Sequence, residues 1–159
     1  MLKSVGAKYI ILGHSENRQL GETDKLINSK IKSATKAGLK IIFCIGETLK
    51  EKRNKKTKQV LAKQINNGLQ SIKNKSKIIL AYEPVWSIGT GLIPKLNDLS
   101  DTINFIKKKM KNSKVLYGGS VSPKNIIELN SVTNIDGFLI GGASQNSKKF
   151  IDIIKKTFI

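Results

Sequence analysis

A carboxylate followed by proline closes an apolar run in the segment Ile78-Ile79-Leu80-Ala81-Tyr82-Glu83-Pro84. Such a run reads as a strand buried on both faces of a parallel sheet, so Glu83 falls where the strand ends and a site can begin. A charge is costly there unless it is paired or used. Pro84 stiffens one end of the loop that follows, and Gly89 and Gly91 free the other. Val85, Trp86 and Ile88 give the loop apolar weight, with Ser87 and Thr90 between them. The chemistry this pairing supports is proton transfer by a carboxylate beneath a lid running from Pro84 to Gly91. Taken alone, the same residues also describe a buried strand that ends in a surface acid and an ordinary loop.

The other residue types suited to chemistry also follow apolar runs. His14, the chain's single histidine, comes directly after Lys8-Tyr9-Ile10-Ile11-Leu12 and Gly13, and Ser15 and Glu16 then open a short helix. A helix N-terminus disfavours the imidazolium, which suits a neutral hydrogen-bond donor. A lone histidine otherwise reads as structural, and Glu16 as a cap or helix-dipole partner. Gly118-Gly119-Ser120 follows the run Lys114 to Tyr117, and Gly141-Gly142 follows Gly137 to Ile140. Glycines let backbone N–H groups approach a dianion closely. One such pair is usually a turn; two in consecutive units suggest a phosphate grip. Cys44, the single cysteine, follows Ile41-Ile42-Phe43, which excludes an intrachain disulfide and favours a buried free thiol.

Five segments together carry a resemblance to a known family: Gly13-His14-Ser15-Glu16, Cys44-Ile45-Gly46-Glu47, Ala81 through Gly91, Tyr117-Gly118-Gly119-Ser120-Val121, and Gly137-Phe138-Leu139-Ile140-Gly141-Gly142-Ala143-Ser144. In order and spacing they resemble triosephosphate isomerase. The resemblance implies that Glu83 is the base, His14 the electrophile and Glu16 a supporting acid. It places the substrate phosphate at Gly89, Ser120, Gly141 and Gly142, puts Ser15, Cys44 and Glu47 in a second layer, and makes Asp136 structural. The implied ligand is a triose phosphate, or another small phosphate or sulfate anion. No cofactor and no metal are implied.

The resemblance spans essentially all 159 residues but matches only strands four to eight of an eight-stranded barrel. The family's catalytic lysine and a neighbouring asparagine lie after the first strand, outside the matched part. So does the loop through which family dimers interlock. Within the match, Asn17-Arg18 stands where two arginines are usual, Ser87 where alanine is usual, and Leu92 where lysine is usual.

The elements that must position these residues alternate strictly. Strands are predicted at Lys8–Leu12, Lys40–Cys44, Ile78–Tyr82, Lys114–Tyr117 and Gly137–Ile140. A helix with Ile27, Ile31 and Ala34 on one face runs from Asp24 to Ala37. Leu61, Ile65, Leu69 and Ile72 mark a second helix. A third carries Ile103, Ile106 and Met110 after caps at Asn97 and Asp98, and a short helix follows Ser122-Pro123 through Leu129. Phe150, Ile153, Ile154 and Phe158 stripe the last. Strand–helix alternation means parallel strands with right-handed crossovers. The expected fold is therefore α/β, a single domain over residues 1–159: a partial barrel of five (βα) units forming an open half-barrel. Its two strand edges and exposed inner face should draw it into a homo-oligomer, or onto a partner chain supplying the N-terminal units.

A net charge of +18, from 29 basic and 11 acidic residues, invites polyanions. The densest patch, Lys50 to Lys58, has no aromatic residue interleaved to stack on bases. Nucleic-acid contact is therefore expected to be non-specific. No apolar run approaches the ~18 residues of a membrane span, and the first residues lack a signal-peptide pattern, so no membrane partner and a cytoplasmic location are expected. Three functions stay open. The first is an isomerase of reduced or no activity on its own, and the second a catalytically silent half-barrel that self-assembles. The third is a basic polyanion-binding module.

Overall fold

The computed structural model describes residues 2–158. Five strands, β1 (Tyr9–Leu12), β2 (Lys40–Ile45), β3 (Ile78–Tyr82), β4 (Val115–Tyr117) and β5 (Gly137–Phe138), form one sheet in sequence order. Every neighbouring pair is parallel. A short helix α1 (Ser15–Gln19) and the long helix α2 (Asp24–Lys36) follow β1. The β2–β3 crossover carries α3 (Leu49–Arg53) and α4 (Thr57–Gly68), and the next carries α5 (Leu96–Lys109). Helix α6 (Ile126–Asn130) follows β4, and α7 (Ser147–Thr157) follows β5.

Side chains of a strand alternate between faces, and in this sheet the faces have unequal fates. Ile41, Phe43, Ile78, Leu80, Val115 and Tyr117 point toward the helices and are fully buried. There they meet Ile27 and Ile31 of α2, Leu61 and Ile65 of α4, and Leu99, Ile103 and Ile106 of α5. On the opposite face the register aligns Ile11, Ile42 and Ile79 in one row. At the β1 edge that row opens to solvent, with Tyr9 47% and Ile11 46% exposed. The far side is also uncovered, because only Ile153 of the α7 stripe is buried while Phe150, Ile154 and Phe158 are exposed.

Three expectations are corrected. Asn97 and Asp98 do not cap α5: the cap is Lys95, with no side-chain bond, and Asp98 lies inside the first turn, where its charge still suits the helix dipole. The helix expected after Ser122-Pro123 begins only at Ile126. Before it, the Ser122 N–H donates to Asn125 Oδ1 at 2.8 Å and forms a side-chain turn instead. The fifth strand is two residues long rather than four. Paired on one side only, it is flanked by two further ladder bonds, Asp136 N–H to Val115 O at 2.8 Å and Leu139 N–H to Tyr117 O at 2.9 Å. Part of the basic stretch is ordered by a capping box, in which Thr48 and Glu51 satisfy each other's backbone at the start of α3.

Candidate active site

Glu83 leaves the carboxyl end of β3, where its N–H continues the ladder to Ile45 O at 2.8 Å. Two glycines make room for it. A Cβ on Gly46 would stand 1.8 Å from the Glu83 carbonyl oxygen, and one on Gly118 would stand 2.8 Å from Glu83 Cγ. The residue is 3% exposed. Its Oε1 lies 3.6 Å from His14 Nε2, and its Oε2 is buried without a hydrogen-bond partner. Burial raises the Glu83 pKa above the ordinary carboxylate value, an effect partly offset by His14, the Cys44 thiol and the Ser15 backbone N–H. A raised pKa and an unspent lone pair suit a carboxylate that must pick up a proton.

His14 follows β1 through Gly13 and caps α1, its Nδ1 accepting from the Glu16 N–H at 3.4 Å. An Nδ1 that accepts leaves the proton on Nε2, the nitrogen that faces Glu83. Arg18 locks this corner: its Nε donates to Gly13 O at 2.8 Å, and its guanidinium pairs with Asp24 at 2.7 Å.

One cavity of about 550 Å³ is shared by His14, Glu83, Gly89, Ser120, Gly141 and Gly142. The expected base, electrophile and phosphate positions are therefore gathered in one place. Glu16 is not among the lining residues; its side chain is 80% exposed, 3.9 Å from the far nitrogen of His14. Ser15 and Cys44 are buried, and burial together with the Glu83 charge pushes the Cys44 thiol pKa up, which makes it inert. Glu47 lies against the loop of residues 84–91, 1% exposed. It accepts from Tyr82 Oη at 3.2 Å and from Trp86 Nε1 at 2.9 Å, and Lys52 Nζ stands 3.5 Å over the Trp86 ring. Asp136 ties β4 to β5 by accepting from the Val115 N–H at 2.6 Å.

The structure adds residues that sequence reasoning did not assign to the site. Lys124 and Lys149 line the same cavity, and nothing in a chain this rich in lysine singles them out. Tyr117 joins them, its Oη 3.1 Å from the Oγ of Ser87, a residue the sequence had already placed in the expected lid. Ser87 carried a signal, as the serine at a position where alanine is usual.

An open parallel sheet whose acid, imidazole and glycine loops converge at the carboxyl ends of its strands belongs to the (βα)-barrel class of α/β proteins. The family model described as triosephosphate isomerase matches residues 1–157. A triosephosphate isomerase of Thermodesulfovibrio yellowstonii is 43% identical over 164 residues, covering 98% of this chain and 67% of that relative. One from Mycoplasmopsis pulmonis is 46% identical, covering 97% and 62%. The crystal structure of triosephosphate isomerase from Bartonella henselae superposes with a TM-score of 0.90 at 36% identity, covering 99% of this chain and 68% of that one. The chain belongs to the triosephosphate isomerase family. It spans about two thirds of the length of the relatives it matches.

Proposed function

We propose that this chain carries the base-and-electrophile part of an isomerase site that interconverts dihydroxyacetone phosphate and glyceraldehyde 3-phosphate. Glu83 removes a proton from the carbon beside the carbonyl, and His14 Nε2–H donates to the carbonyl oxygen as the enediolate forms. The proton held by Glu83 returns to the adjacent carbon, while His14 gives its Nε2 proton to the first oxygen and takes the hydroxyl proton of the second, which becomes the new carbonyl. The observation that carries this reading is the buried Glu83 carboxylate, 3.6 Å from His14 Nε2 in a cavity it shares with the three glycine loops. Lid closure, for which this family's enzyme is a standard example, excludes water while the enediolate exists. The test is a coupled isomerase assay on the purified chain, with Glu83→Ala as control. Turnover that does not depend on Glu83, or none in any assembled form, rules the reading out.

The family's usual lysine lies outside the matched segment, so the available cations of this cavity are its own. Among the described residues, the ammonium groups of Lys124 and Lys149 make no ion pair. The single acid within α7, Asp152, is already held by Lys156 at 3.0 Å, and Lys156 also donates to Pro123 O at 3.1 Å. That clamp draws the Lys124 loop against α7 and leaves both lysines for an anion. Lys124→Met with Lys149→Met is expected to weaken inorganic phosphate binding by about fivefold, as two partly screened charges would. Lys32→Met with Lys36→Met, the same charge change on α2 away from this cavity, should have little effect in the same calorimetric titration.

A second reading, a half-barrel that assembles without turnover, is favoured by the uncovered surfaces. A groove of about 560 Å³ beside β1 is lined by Leu2, Ile10, Leu12, Ala34 and Leu39, and the free edge of β1 runs along it. Both readings need this edge covered, by a second copy or by a chain with further strand–helix units. Light scattering is expected to find a species larger than the 17.6 kDa chain, favoured by added salt because +18 charges repel. A monodisperse monomer at micromolar concentration excludes self-assembly.

A further inference from the structure

Taking residues 84–91 as a lid, we propose that Ser87 is an internal latch that holds it closed through this chain's own atoms. The Ser87 residue is 0% exposed, and its hydroxyl has every hydrogen-bonding capacity in use. Its one hydrogen is directed to Leu92 O at 2.6 Å, just beyond the C-terminal end of the lid. Tyr117 Oη, 3.1 Å away, is then left as the donor to Ser87 Oγ, and the Ser120 N–H donates to the same oxygen at 3.2 Å. A hydroxyl offers one donor and two acceptor positions, so the set is complete. Burial raises the Tyr117 pKa to about 12, which keeps the phenol protonated as a donor through the neutral range.

The Ser87 backbone closes the same ring. Its carbonyl accepts from Ser120 Oγ at 2.5 Å, and that hydroxyl oxygen in turn accepts from the Gly91 N–H at 3.0 Å. The loop after β4 is thus bonded to the middle of the lid and to its end through one serine. Alanine at 87 would leave three groups without that partner at once: Leu92 O, Tyr117 Oη and the Ser120 N–H. Unsatisfied buried groups of this kind are individually costly. The latch also spends the Ser120 N–H, one of the backbone donors assigned to the phosphate, so an anion and Ser87 compete for it. Ser87 is accordingly a positioning residue, acting through Ser120 and the lid.

The chain's single tryptophan, Trp86, lies in the lid beside Ser87, so its emission reports on this segment alone. Hydrogen exchange at the Gly91 amide reports on lid opening. In Ser87→Ala, Gly91 exchange is expected to accelerate by about tenfold or more, while amides of Ile42 and Phe43 in β2 keep their protection. Tyr117→Phe removes one of the three bonds and should give a smaller acceleration. On titration with inorganic phosphate, Trp86 emission is expected to change little in the wild-type chain and more in Ser87→Ala, whose lid the anion must close. Equal emission amplitudes in both proteins, or unchanged Gly91 exchange, overturn the latch. Neither readout uses turnover. A chain without isomerase activity but with a protected Gly91 removes the reading of function and keeps the latch; an active chain with Gly91 unprotected does the reverse.

Discussion

Glu83→Gln is expected to lower isomerase turnover by roughly 10²–10⁴-fold, the usual contribution of a positioned general base, and to raise the melting temperature at neutral pH. The two effects share a cause. Burial raises the Glu83 pKa in the folded chain above the ordinary value of 4.5 that the unfolded chain retains. Between those two values the folded state binds more protons than the unfolded state, so stability falls as pH rises through that window and stays lower above it. Glutamine fills the site without a charge, so the variant's advantage is present above the window and vanishes as pH falls below 4.5. Each kcal/mol recovered shifts the midpoint by about 2–4 °C in a chain of this size. Glu47 is also raised by burial, so some pH dependence survives in the variant. Thermal melts of both proteins from pH 4 to pH 8 check the sign; a variant less stable at pH 7.5 contradicts it. The same raised pKa should move the acid limb of the rate profile above the ordinary carboxylate range.

Gly46→Ala is expected to cost about 3 kcal/mol or more of stability and to remove activity, although Gly46 touches no substrate. The added methyl would stand 1.8 Å from the Glu83 carbonyl oxygen, a main-chain atom of β3 that cannot swing aside. Relief requires β2 and β3 to part where Glu83 N–H bonds Ile45 O and where the Gln64 side chain bonds both the N–H and the carbonyl of Gly46. Overpacking inside a rigid ladder exceeds the ordinary range of about 1–3 kcal/mol when backbone must move. Gly118→Ala makes a useful contrast: its methyl would meet the Glu83 side chain, not the main chain. It should misplace the carboxylate while leaving stability closer to wild type. Urea unfolding measured beside turnover separates the two variants.

Much of the site was legible because its residues stand at the ends of strands. Apolar runs place Tyr9–Leu12, Ile78–Tyr82 and their neighbours in a sheet, and strict alternation with helices makes that sheet parallel. A parallel sheet gathers whatever follows each strand at one edge, so Glu83, His14, Ser120 and Gly141 had to meet. Helix ends were less legible. Asn97, Asp98 and Ser122 are residues of the kind that cap helices, but the chain paths into α5 and α6 decide whether a side chain reaches a free N–H. The last strand was overread because Gly137–Ile140 has the composition of a strand, whereas ladder bonds need a neighbour and β5 has one only.

By itself, then, the sequence determined the five strand–helix units, their parallel order and the residues delivered to the carboxyl edge, because burial periodicity and chain punctuation are local properties. Only the tertiary structure decided how closely β2 approaches β3 at Gly46, which nitrogen of His14 faces Glu83, and which of many lysines share the cavity. It alone turned Ser87 from a small polar residue in a loop into the centre of a three-bond latch. Those outcomes depend on differences of a few tenths of an ångström, mostly between segments distant in sequence, and such distances are fixed when the whole sheet closes.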